Sequence, residues 1–167
     1  KIGNLTKQRA FHSLDQAQYN PSLKILDMWD VEAGIDYKNK RVPKKESSVY
    51  VFIRTFSGGG ILNNKTGDQF ICSKLSWLVI EEKEIISYYT SIENENWSFV
   101  WVAFECYQDL SQILITNKIL ECPIEPEESD MAEEIRECIE NPYANAIAGS
   151  CLARWLLRLE QRYKQIN

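Results

Sequence analysis

Trp97-Ser98-Phe99-Val100-Trp101-Val102-Ala103-Phe104 is the stretch that decides the fold. Its large rings recur at every second position, and a strand sends alternate side chains to opposite faces, so Trp97, Phe99 and Trp101 share one face. Upstream, residues 75–80 and 85–90 are further runs rich in β-branched and aromatic residues, parted by the polar turn Glu81-Glu82-Lys83-Glu84. Residues 49–56, Val-Tyr-Val-Phe-Ile-Arg-Thr-Phe, predict a strong strand stopped by Ser57-Gly58-Gly59-Gly60. Residues 61–63 and 69–72 then pair across a turn at Asn64-Lys65-Thr66-Gly67. Residues 23–31 alternate loosely and predict the first strand, Gly34 begins a second extended piece ending near Lys38, and the basic stretch 38–45 predicts an exposed loop. Short strands at this spacing make a sandwich or a barrel.

After Cys106 the apolar period changes from two to three and four. Met131, Ile135, Cys138 and Ile139 fall on one face of a helix predicted over 126–140, with an acidic first turn that suits the helix dipole. Asn141-Pro142 predicts an N-cap followed by proline at the first helical position, opening a helix to about residue 163. Its apolar stripe, roughly 100° wide, holds Ala148, Leu152, Trp155, Leu156, Leu159 and Tyr163, with Arg154, Arg158 and Gln161 opposite. The stripe is broader than one small barrel edge requires. Leu152, Trp155, Leu156 and Leu159 are therefore the expected homodimer interface, and packing on the chain's own barrel is the alternative. The expected division is an arm over 1–20, ending at Tyr19-Asn20-Pro21, a barrel over 21–106 and a helical dimerisation region of two to three helices over 107–167.

Composition narrows the function. With 24 acidic and 19 basic residues among 167 the formal charge is −5, the wrong sign for a surface that displaces counterions from phosphate. Direct nucleic-acid binding by this chain is not expected. Its longest apolar runs are a few residues, far short of the roughly 20 that span a bilayer, and residues 1–10 lack the pattern of a signal peptide, so the cytoplasm is the expected location. The five cysteines, at 72, 106, 122, 138 and 151, form no C-x-x-C pair and read as buried thiols. Sequons at Asn4, Asn64 and Asn96 matter only in a secreted chain.

The chemistry of catalysis is thin. His12 is the one histidine, so triads of the Ser-His-Asp and Cys-His kind and histidine-built metal sites are not expected. Lys65-Thr66 lacks the glycine that precedes the lysine of a phosphate loop, and the glutamates of 81–84 read as a solvated turn. No enzyme activity, cofactor or metal is expected. Arg54 reads as an outward surface arginine; turned inward it would demand an anionic ligand or a carboxylate partner. Aromatic density remains: three rings on one strand face serve as core packing and equally as stacking walls for a ligand inside a small barrel.

Three segments then resemble the N-terminal sensor domain of the AraC/XylS family of bacterial transcription regulators. They are the strand and glycine turn Tyr50-Val-Phe-Ile-Arg-Thr-Phe-Ser-Gly-Gly-Gly60, the spaced aromatics from Trp97 to Phe104, and the Ala/Leu-rich last helix from Ala144 to Leu159. The order and intervals agree over about residues 20–163, although the family's Gly-Asp turn is absent at Leu75-Ser76 and its Pro-Pro is replaced by Glu81-Glu82. The resemblance implies a mainly β fold with C-terminal helices: a cupin-like double-stranded β-barrel that binds a small effector, an arm that folds over it, and helices that dimerise. It implies DNA binding only through a helix-turn-helix domain not contained in this chain. It places Tyr88, Phe99 and Trp101 at ligand-facing positions, with Thr55 and Ser57 as hydroxyl donors and Trp29 as a further wall. Two function classes stand side by side: a binding module for a small polar effector, with a sugar as the leading example, and a cupin enzyme such as a sugar isomerase or dioxygenase.

Overall fold

The computed structural model describes residues 7–11, 22–42 and 48–167. Most of the expected arm, with His12, lies outside the described residues, and residues 7–11 are exposed. The described chain folds into two antiparallel sheets followed by two α-helices. The strands are β1 (Leu23–Gly34), β2 (Lys38–Lys40), β3 (Val49–Gly58), β4 (Gly60–Asn64), β5 (Gln69–Cys72), β6 (Ser76–Glu81), β7 (Ile85–Thr90), β8 (Asn96–Cys106) and β9 (Leu120–Glu121). The helices are α1 (Pro126–Cys138) and α2 (Asn145–Ile166). One sheet has the order β1-β8-β3-β6-β9 and the other β2-β7-β4-β5. The chain passes repeatedly from one sheet to the other, the double-sheet jelly roll of cupin-like barrels.

Strand β8 carries the architecture because both its neighbours and both its faces are occupied. Trp101 pairs with Trp29 on β1 and Ile53 on β3, and Phe99 pairs with Val31 and Thr55. Directly paired residues point to the same side, so these side chains share the barrel's inner face. The inner core gathers Val51, Ile53, Leu62, Leu78, Ile80, Ile85, Tyr88, Trp97, Phe99 and Trp101. Gly60 faces Trp97, and a Cβ there would run into the indole ring. On the outer face, Val100, Val102 and Phe104 join Phe52 and Val79 in a second core closed by α1 and α2. The eight-residue aromatic stretch thus serves two cores.

Leu152, Trp155, Leu156 and Leu159 go into that second core, all at 1% exposure or less. Trp155 meets Phe52 edge-on with ring centroids 5.0 Å apart. This corrects the dimer expectation for these four residues: the outer sheet face is itself apolar and absorbs the whole stripe. Helix and sheet approach so closely that a Cβ on Gly149 would strike the Leu23 carbonyl oxygen.

Arg54 is also corrected. Its side chain lies on the outer face of β3 but is fully buried beneath the helices. Its Nε donates to Glu128 Oε1 at 2.8 Å and its Nη2 to Glu128 Oε2 at 2.9 Å, while Nη1 donates to the Leu75 carbonyl at 2.6 Å. Further bonds run from Nη2 to the carbonyls of Cys122 at 3.2 Å and Pro123 at 3.3 Å. Glu128 accepts in addition from Trp155 Nε1 at 2.9 Å and, in the capping box of α1, from the Glu125 N–H at 2.9 Å. One ion pair therefore ties barrel, α1 and α2 together, with its lone pairs and protons satisfied as a buried pair requires.

Three local expectations shift. Helix α2 starts at Asn145 rather than at Pro142, because the Asn141 side chain accepts the Tyr143 N–H at 3.0 Å and turns the backbone there. Strand β2 lies in the stretch read as a loop, recruited by pairing with β7. Strand β9 pairs with β6 inside the region read as helical, so the sheet extends beyond residue 106.

Candidate aromatic cavity

Strands β1 and β2 are end strands of their sheets, and a cavity of about 740 Å³ lies between them, reaching inward to β7 and β8. Period-two alternation sorts its walls. From β1, Asp27, Trp29 and Val31 stand on the face shared with Ala103, Trp101 and Phe99 of β8. From the second sheet, Asn39 pairs with Tyr88, and the same alternation carries Arg41 to that side. Tyr37 completes the wall, its ring 6.1 Å from Tyr88 and 6.2 Å from Phe99.

Tyr88 and Trp101 form the floor, with centroids 4.7 Å apart and planes tilted by 34°. Burial, reinforced by the nearby Tyr37 phenol, pushes the Tyr88 hydroxyl up to about 12, so it is protonated and able to donate at neutral pH. The Arg41 guanidinium lies over Trp101 at 5.2 Å from the ring centroid. Its Nη2 reaches Glu82 Oε1 at 3.4 Å, and its backbone N–H donates to the Ile86 carbonyl at 2.7 Å, which fixes the chain at the cavity lip. Glu82, read from sequence as part of a solvated turn, is buried beside this arginine. Cavities of this size, aromatic-walled with a few convergent polar groups, are the usual form of a small-molecule site.

Of the residues singled out from sequence, Trp29, Tyr88, Phe99 and Trp101 line the cavity. Trp29 stands at its rim, 62% exposed. Thr55 is buried and its Oγ1 accepts the Trp97 Nε1–H at 3.1 Å, so its hydroxyl serves the core. Ser57 sits beyond a bulge in the β3–β8 pairing, outside the cavity lining. Sequence reasoning passed over Asp27, Tyr37, Asn39 and Arg41. The available signal was the alternation Tyr37, Asn39, Arg41, hidden because the lysines between them made the stretch look like a basic loop.

No family model matches the chain and no curated protein matches its sequence. Solved structures resemble it at low identity. ToxT from Vibrio cholerae, an AraC-family regulator, is 13% identical over 87% of this chain and 58% of its own, with a TM-score of 0.47. YhaK from Escherichia coli is 8% identical over 58% of this chain and 43% of its own, with a TM-score of 0.42. A cupin protein from Bacteroides fragilis is 10% identical over 69% of this chain and all of its own, with a TM-score of 0.35. The chain thus spans less than two thirds of ToxT and of YhaK. Such likenesses concern the course of the backbone, and the chemistry of the site rests on its own residues.

Proposed function

We propose that this chain is the effector-binding domain of a transcription regulator of the AraC/XylS type, taking a small organic molecule into the cavity between β1, β2, β7 and β8. The observation that carries the reading is the aromatic cavity itself: Trp29, Tyr88, Phe99 and Trp101 surround a space of about 740 Å³ inside a barrel whose other sheet face is locked to two helices. Ligand binding there would bias the position of β1 and β2, which border the cavity, and so shift the populations of two arrangements of the chain. DNA binding belongs to a further domain. A homodimer, if formed, uses surface other than the stripe of Leu152, Trp155, Leu156 and Leu159.

The test is thermal unfolding of the chain against sugars, sugar acids and aromatic acids, since a ligand that binds only the folded state raises the midpoint with concentration. Trp101→Ala should abolish the shift for any compound that produces one. A stabilising compound whose effect survives both Trp101→Ala and Tyr88→Phe binds elsewhere and overturns the assignment.

A further inference from the structure

We infer that the cavity selects a carboxylate on an apolar, ring-bearing body, received at Arg41. This rests on the reading of the cavity as the effector site and names the ligand class. The argument begins with unused donor capacity. A guanidinium carries five N–H donors in a fixed fork, and among the described residues the Arg41 side chain donates one bond, the 3.4 Å contact from Nη2 to Glu82. Its Nε and Nη1 donors have no partner among the described side chains, yet the group is only partly open to water at 29% exposure.

Position supplies the second step. Arg41 lies over the face of Trp101, its guanidinium carbon 5.2 Å from the ring centroid, and the planar fork of a guanidinium matches a carboxylate's two oxygens. An anion there adds to the fork without displacing Glu82. Over Trp101 a cationic head would meet Arg41 and be repelled; the carboxylates that line the cavity, Asp27, Asp30 and Glu32, all stand on β1. The apolar surface of Trp29, Val31, Phe99, Trp101 and Ala103 suits a hydrocarbon or aromatic body, and the neutral Tyr88 hydroxyl offers a further donor to a carboxylate oxygen. A polyol asks for donors and acceptors along its whole length, and along this wall the indole N–H groups of Trp29 and Trp101 are the side-chain polar atoms, the others standing apart at Asp27, Tyr37, Asn39 and Tyr88.

The probes are 3-phenylpropanoate, its primary amide, 3-phenylpropylamine and a pentose, titrated by calorimetry into the whole chain, with thermal midpoints as a second readout. The expected result is that the carboxylate binds at least tenfold more tightly than the amide, the size of a lost charge-assisted bond, with the amine and pentose weaker still. Arg41→Gln should bring the carboxylate down to the level of the amide. Arg41→Lys should restore part of the preference, because charge returns without the fork. Preference for the amine or the pentose, lost in Tyr88→Phe or Trp101→Ala, overturns the ligand class and leaves the cavity as the site. Carboxylate binding unchanged in Arg41→Gln overturns the role of Arg41. Failure of all four probes, with midpoints unmoved, overturns both the class and the site.

Discussion

Two arginines in this molecule occupy similar surroundings and do different things. Arg54 and Arg41 each lie over an indole, Trp77 at 5.9 Å and Trp101 at 5.2 Å, and each faces a glutamate. Arg54 is fully buried and spends Nε, Nη1 and Nη2 on a carboxylate and three carbonyls. Arg41 sits at a cavity lip, where among the described residues its side chain donates one long bond. Satisfaction of the fork separates them: a guanidinium with every donor committed is a structural rivet, while one that lies over a ring and, among the described residues, donates a single side-chain bond keeps capacity for something that arrives later. The molecule divides along the same line, with a sealed sheet–helix core around Arg54 and an open aromatic cavity beside Arg41.

The largest expected effect breaks the sealed side. Glu128→Ala should cost about 3–5 kcal/mol, because it strands a buried guanidinium and removes the acceptor of Trp155. Urea unfolding measures it, and a loss below about 1 kcal/mol would mean that water reaches Arg54 and that the two arginines are alike after all. Next comes Gly149→Ala, which places a methyl against the Leu23 carbonyl and should cost about 1–3 kcal/mol, the usual penalty of overpacking. An unchanged unfolding midpoint would show that α2 rides on β1 more loosely than the contact implies.

On the open side, stability and binding should separate. Arg41→Gln is expected to change unfolding free energy by less than about 1 kcal/mol, since the pair it breaks is partly exposed. A loss comparable to that of Glu128→Ala would make Arg41 a second rivet and remove the contrast. The smallest effect is in alkaline solution. The fold raises the Tyr88 hydroxyl from 10.0 to about 12, so it favours the protonated phenol. That contribution is complete below pH 10 and is lost as pH climbs toward 12. Burial raises the Cys72 thiol from 9.0 to about 12 in the same direction. Tyr88→Phe should therefore lose less stability between pH 10 and 12 than the parent chain in paired urea titrations, and identical slopes would place Tyr88 in water rather than in the cavity floor.

Strand order along the chain was legible because these strands need β-branched and aromatic residues at alternate positions, a local property. Strands β3, β6, β7 and β8 fall where the residues predict them. Strand β2 did not, because three residues flanked by lysines carry no pattern of their own and become a strand only through β7. Of the four aromatic lining residues, Phe99 and Trp101 were legible as rings on one strand face, whereas Tyr88 and Trp29 were singled out through the family resemblance. Arg41 was not, since its role comes from lying over Trp101, about sixty positions away in the chain.

By itself the sequence determined the class: alternation made sheets and a three-and-four period made the helices. It determined that Ile53 and Thr55 share one face of β3 and that Arg54 takes the other, since that follows from the pleat. Only the tertiary structure decided which face met the cavity and which met the helices. Pleat and period fix relative orientation within an element, but which surface covers it depends on partners far along the chain. So Leu152, Trp155, Leu156 and Leu159 could read as an interface until the outer face of the sheet was seen to fill it. Arg54 could read as a surface charge until Glu128 was found seventy-four residues away, closing over it from α1.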